Sequence, residues 1–152
     1  MSTDESRIEQ VVRRYFDGCN RADVALMCEC LTEDAVHYFP PGMYGGAFRG
    51  ASEIARRWAE AVEKLGSQWT IDRIAVDSER YVAVVEWTHF KVRDDVVLRG
   101  LEWHDIDPES GLIAEIRAFY ASPQAPSLTR LELANFDYAG RGYPQGATEV
   151  TA

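Results

Sequence analysis

The chain has 152 residues, 46% of them hydrophobic and 27% charged, enough to bury one substantial core without a second domain. A formal charge of −9 excludes sequence-independent binding to nucleic acid or to an anionic lipid surface, both of which need a surface rich in Lys and Arg. The start, MSTDESRIEQVVRRYF, has neither the basic opening nor the unbroken apolar run of a secretory or membrane segment, so a cytoplasmic location is the expectation.

Ile8, Val11, Val12, Tyr15, Phe16 and Cys19 recur at the spacing of one apolar helix face and define a first helix. Asp23 suits the N-cap of a short second helix that turns Leu26, Met27, Cys30 and Leu31 inward and ends before TEDA, where Asp34 is expected to close the helix or a turn. AVHYF reads as a strand stopped by PPG. A third helix is predicted from near Ser52 to Gly66, with Ile54, Trp58, Ala61 or Val62, and Leu65 on one face and the pairs Glu53/Arg57 and Glu60/Lys64 on the other.

Four strands follow, over roughly 68–77, 80–92, 96–106 and 112–121. DSER, RDD and DPESG separate them, and turns this short make neighbours antiparallel. From Ser122 onward the composition shifts toward Pro, Ala and Gly. A short helix around LTRLELANF and then an arm ending in a frayed tail, DYAGRGYPQGATEVTA, are expected. Residues 1–122 therefore form one α+β domain, with helices on one face of a curved antiparallel sheet, and residues 123–152 an arm or tail.

Cys19, Cys28 and Cys30 are odd in number and lack a C-x-x-C pair, so ordinary thiols are expected rather than a disulfide framework or a zinc knuckle. GGAFRG lacks the spacing of a nucleotide-binding loop, and the three histidines lack close metal-ligand spacing. In RGLEWHDID, Glu102 and His104 are two apart and share one face of a strand, roughly 7 Å from each other.

In this order of elements, YFDGCNRADVALMCECLTEDAVHYFPPG, FRGASEIARRW and GLEWHDIDPESGLIAEIRAFYA resemble the nuclear-transport-factor-2-like superfamily. That superfamily includes SnoaL-like polyketide cyclases, ketosteroid isomerase, scytalone dehydratase and limonene epoxide hydrolase. The likeness covers about residues 7–122 and implies a cystatin-like roll, a cone-shaped curved sheet that encloses a cavity with three helices. It speaks for the fold more than for an activity, because this fold hosts unrelated chemistries and non-enzymes. The resemblance places Tyr15 at the oxyanion-hole tyrosine of ketosteroid isomerase. It places Glu102 at the isomerase's protonated aspartic acid and at the acid of SnoaL-like cyclases. Phe39 stands where the isomerase has its proton-abstracting aspartate, and Ala118 where limonene epoxide hydrolase has its final-strand aspartate, so neither mechanism is implied intact.

If the resemblance orients the strand, Gly100, Glu102 and His104 face the cavity while Leu101 and Trp103 face outward, toward a second subunit. A carboxyl in an apolar pocket has its pKa raised, which suits a general acid, or a base near neutral pH. His104 is the candidate partner of Glu102 or else a rim residue near the turn. His89, in VVEWTHFKV, has ambiguous parity and belongs either to the pocket or to an outer sheet face, while His37 shares parity with Phe39 and reaches the cavity. Phe39, Trp58, Trp69, Ile116, Ala118 and Tyr120 are the expected walls, and Arg99 alternates away from Glu102 toward an interface or surface ion pair.

Together these features point to a lyase, isomerase/cyclase or hydrolase that works without metal or cofactor on a small apolar or aromatic organic substrate. Glu102 with a histidine would move the proton and Tyr15 would stabilise developing oxyanion charge. The alternative is a non-catalytic ligand-binding or dimerisation module of the same fold. A homodimer through the outer sheet face is the expected assembly.

Overall fold

The computed structural model describes residues 3–121, 132–143 and 145. Among these, the chain forms α1 (Thr3–Asn20), α2 (Val24–Cys30), α3 (Ala51–Leu65) and a six-stranded sheet. Its strands are β1 (Leu31–Tyr38), β2 (Phe48–Arg49), β3 (Ser67–Asp77), β4 (Val82–Lys91), β5 (Val96–Ile106) and β6 (Ile113–Phe119), in the order β2-β1-β6-β5-β4-β3. The expected α+β roll is therefore present.

The helices form where the sequence signals lie. Ile8, Val12, Tyr15, Phe16 and Cys19 of α1 are buried as one stripe. The Asp23 carboxylate accepts the Leu26 N–H at 3.0 Å and caps α2. Gly66, at φ 65°, ends α3 in the left-handed region and donates its N–H to the carbonyls of Ala61 and Val62. Glu53/Arg57 and Glu60/Lys64 pair as expected at 4.0 and 3.7 Å.

Several expectations require correction. The sheet is mixed, because β1 runs parallel to β6 while its other pairings are antiparallel. Between these two strands the chain passes through α3 and four further strands, and a connection that long leaves direction free in a way a short turn does not. Leu31 is not the last residue of α2 but the first of β1, where it pairs with Ile113, and Asp34 is an exposed position within the strand rather than a helix stop. Phe39 falls just beyond β1 rather than inside it, and the two-residue β2 was not signalled at all.

Residues 132–136 of LTRLELANF are turn and irregular structure, not helix; 128–131 lie outside the described residues, as does the end of the tail, 146–152. Leu133 and Phe136 bury themselves on Tyr38, the Ala134 N–H donates to the Phe39 carbonyl at 3.0 Å, and Arg141 donates to both oxygens of Glu115 at 2.8 and 2.7 Å. Among the described residues, this segment packs on the outer side of β1 and β6.

On β5 the alternation is clean. Glu102, His104 and Ile106 are buried on the concave side, while Val97, Leu101 and Trp103 are exposed on the other. On β4 the concave set is Ala83, Val85, Trp87 and His89. A bulge between Ile71 and Arg73 breaks the β3/β4 register and adds curvature, so that β3 folds over toward the helices.

Candidate active site

The register of three strands assembles the centre of the site. In β6, Ile116 pairs with His37 of β1 on one side and with His104 of β5 on the other. Glu102 lies beside Ala118, one concave position further along. The two imidazoles thus sit on strands two apart and converge diagonally on one carboxylate. His37 Nε2 is 3.5 Å from Glu102 Oε1, and His104 Nε2 is 3.3 Å from Oε2. Each ring takes a different oxygen, so the three groups form a bridge. Among the described residues, no cluster of three or more His, Cys, Asp or Glu side chains is arranged to hold a metal ion.

His37 and His104 are 1% and 0% exposed and Glu102 8%. Their separations are ion-pair distances, longer than a good hydrogen bond, and all four imidazole nitrogens lack a well-formed hydrogen bond among the described residues. Burial alone pushes the Glu102 carboxyl up, but the contacts and charge of His104 and His37 outweigh it and hold the pKa at about 2. This corrects the expected raised value: a carboxyl among rings alone stays neutral, whereas one bridged by two imidazoles ionises. Burial lowers the pKa of His37, and the opposing pull of Glu102 does not restore it.

His89 belongs to the concave side, which settles its parity. Its Nε2 lies 2.9 Å from the Ser67 Oγ, and its ring stacks on Trp69 at 4.4 Å. Burial, with a smaller push from Lys91, takes its pKa down to about 3, so it is neutral at physiological pH. Arg99 faces away from Glu102, as expected, but donates to the Thr88 hydroxyl at 2.8 Å rather than forming an ion pair, and Thr88 donates in turn to Asp72 at 2.7 Å.

Two small cavities, each of about 10 Å³, flank Glu102. That is the room of a single water molecule. Tyr15, Phe16, Cys19, His37, Trp58, Trp69 and Glu102 line one. Phe39, Tyr44, Trp58, Trp69, Trp87, His89, Glu102, Ala118 and Tyr120 line the other. The Trp58 Nε1–H donates to the Tyr15 hydroxyl oxygen at 3.0 Å, locking a helix α1 phenol to a helix α3 indole. Asn20, the last residue of α1, accepts the Trp69 N–H at 2.7 Å and donates to the Trp69 carbonyl at 2.8 Å, so the helix end fixes the wall strand.

Of the predicted residues, His104 and Ile116 line neither cavity; they lie behind Glu102 and fix it in place. The others meet around the carboxylate. Sequence reasoning missed Trp87, Tyr44, Phe16 and Cys19. Trp87 shares parity with His89 and was recoverable once that strand was oriented. Tyr44 was not, because it hangs from the loop PPGMYGG at φ 55°, where no periodicity applies. Its pKa is pushed up to about 12, chiefly by burial, and its hydroxyl is hydrogen-bonded with that of Tyr120.

Fold and site define a cystatin-like α+β roll with a buried imidazole-carboxylate-imidazole centre. The SnoaL-like domain family matches residues 12–116, and the chain belongs to that family. A crystal structure of a protein of unknown function with a cystatin-like fold, from Methylobium petroleophilum PM1, is 60% identical over 94% of each chain, with a TM-score of 0.90. A candidate ketosteroid isomerase from Kribbella flavida DSM 17836 is 21% identical over 89% of this chain and 96% of its own, with a TM-score of 0.65. SalBIII, an epoxide hydrolase/cyclase-like enzyme of pyran ring formation in the polyether salinomycin, is 18% identical over 81% of this chain and 97% of its own, at 0.63. These last two show the shared fold alone. No curated protein matches the chain. No described helix is long and apolar enough to cross a membrane.

Proposed function

We propose that this chain is a cofactor-free acid-base enzyme for a small apolar or aromatic organic substrate, with Glu102 as its base. The observation that supports this is the buried carboxylate held ionised between His37 and His104 beside a ring-lined cavity. A carboxylate so placed is ionised at neutral pH and ready to accept a proton; its low pKa makes it a weak base, so it suits a strongly activated C–H bond. His37, at ion-pair distance in the same cavity, is the group to which it can relay the proton. The electron pair left on carbon moves onto a substrate oxygen, and Tyr15 is placed to receive that charge. Its oxygen accepts from Trp58, and burial raises its phenol pKa well above the ordinary value, so it keeps its own proton to donate.

Returning the proton to a different carbon gives isomerisation, and loss of a leaving group gives elimination. His104 acts through Glu102 and is a positioning residue. Hydrolysis of a strained ring is the second reading, favoured by the one-water space that adjoins Glu102. The test is incubation with a panel of ketones and β-hydroxycarbonyl compounds in D2O, followed by 1H NMR. Protein-dependent exchange or elimination should fall about 10²- to 10⁴-fold in Glu102→Gln, the usual contribution of a positioned base. Turnover unchanged in that variant would remove Glu102 from its role.

We also infer that two copies associate through the outer face of β4, β5 and the end of β6, where Phe90, Val97, Leu101, Trp103 and Phe119 are exposed large apolar side chains.

A further inference from the structure

We propose that the chamber around Glu102 takes the positively charged head group of a small organic amine, held by the carboxylate and by the faces of the surrounding rings. The inference rests on the reading above that Glu102 is the working group of the site.

The first observation is a buried carboxylate whose basic neighbours are imidazoles. Glu102 is almost wholly buried, and among the described residues the basic groups within ion-pair distance of it are His37 and His104. No Lys or Arg lines either cavity. An imidazole is a counter-charge only while it holds its second proton, and burial drives the two cavity-lining imidazoles, His37 and His89, toward the neutral form. A ligand that brings its own positive charge adds to what the imidazoles supply, whereas an anion places a second negative charge beside the first.

The second observation is the wall itself. Phe39, Tyr44, Trp58, Trp69, Trp87 and Tyr120 surround the space beside the carboxylate. They brace one another: Phe39 and Tyr44 at 4.8 Å between ring centroids, Tyr44 and Trp58 at 5.5 Å, Trp58 and Trp69 at 5.4 Å, Trp87 and Tyr120 at 5.5 Å. Ring faces carry negative potential and attract a desolvated cation, most strongly on tryptophan. A primary ammonium also brings N–H donors that need acceptors. The Glu102 oxygens supply two of them beside the ring wall.

The third observation sets the size and direction of the ligand. Each inner cavity has room only for a compact head group. Outside them lies a groove of about 190 Å³, walled by Tyr44, Phe48, Trp58, Ala61 and Leu65, and it shares Tyr44 and Trp58 with the inner cavities. These two side chains form the partition between the groove and the chamber. Arg57 and Lys64 against the single acid Glu60 make the groove's charged lining net positive, so an amine enters head inward and leaves its apolar body in the groove.

Benzylammonium, benzyl alcohol and benzoate are near-isosteric probes of opposite or no charge. Their binding at pH 7, read by calorimetry and tryptophan fluorescence, should rank benzylammonium about tenfold or more tighter than benzyl alcohol, with no measurable benzoate binding. Glu102→Gln should erase that preference while keeping the native circular dichroism spectrum. If that variant does not fold, Trp69→Leu, which thins the ring wall and leaves the charge, should reduce the preference several-fold. Equal binding of alcohol and amine, tighter binding of benzoate, or no amine binding at millimolar concentration would overturn the inference. Glu102-dependent turnover of a neutral substrate together with equal binding of the two probes would overturn it and leave the acid-base reading standing. Amine preference without any Glu102-dependent turnover would support it and remove the acid-base reading.

Discussion

His89 makes the fold sensitive to acid, and the size of the effect follows from its surroundings. In the native protein its pKa is about 3, against about 6.5 in an unfolded chain. Between these values the unfolded chain binds a proton that the folded chain refuses, so stability is full above pH 6.5 and is lost as pH falls toward 3. A shift of this size corresponds to on the order of 5 kcal/mol over the whole window, or about 1.4 kcal/mol per pH unit for the single proton. The buried His37, also lowered, adds a contribution of the same sign. Urea denaturation between pH 7 and 4.5 should therefore give a stability slope of about one proton from His89 in the wild type, with His37 adding to it. His89→Gln, whose amide can still meet the Ser67 hydroxyl, should lower that slope by about one proton. An unchanged slope would refute the claim that His89 is buried in its neutral form.

Gly100→Ala should destabilise the fold by about 1–3 kcal/mol in the same assay, as overpacking does, because the new Cβ would meet the Phe119 carbonyl oxygen at 2.7 Å and the Trp87 ring at 2.8 Å. A neutral outcome would mean that β5 and β6 are more loosely joined than the register indicates. Trp58→Phe removes the donor to Tyr15 and should lower stability by about 1–2 kcal/mol. A smaller change would show that this hydrogen bond does not tie α1 to α3. Leu101→Arg places a charge on the open outer face, with expected conversion of a dimer to a monomer in sedimentation analysis. A wild-type protein that sediments as a monomer would contradict the proposed association.

Local signals carried much of this fold. The α1 stripe, the Asp23 cap and the Gly66 stop depend on a few neighbouring residues, and each is read from chemistry within one or two turns. The alternation of β5 was equally plain, because exposed Leu101 and Trp103 flank the buried Glu102. On β4 the pattern was blurred for a physical reason: Thr88 points outward yet is buried beneath the Arg99 guanidinium, so both faces of the strand are covered in places.

What the sequence withheld is non-local. The parallel pairing of β1 with β6 joins residues nearly eighty positions apart, and that pairing delivers His37 to Glu102. The environment of Glu102 was therefore misread in one respect. With an apolar pocket in view, burial dominates and the carboxyl is expected to hold its proton; two imidazoles, His104 on the same strand and His37 arriving from β1, together reverse the balance. Residue types identified the group, and topology determined its charge.

That charge is the centre of the account, and 13C NMR of the glutamate side-chain carboxyls, with Glu102 assigned by comparison with Glu102→Gln, measures it directly. The account predicts that the Glu102 signal stays at its carboxylate position from pH 8 down to pH 5, with no titration in that range. A carboxyl signal that is already protonated at pH 7, or that titrates above pH 6, would contradict it.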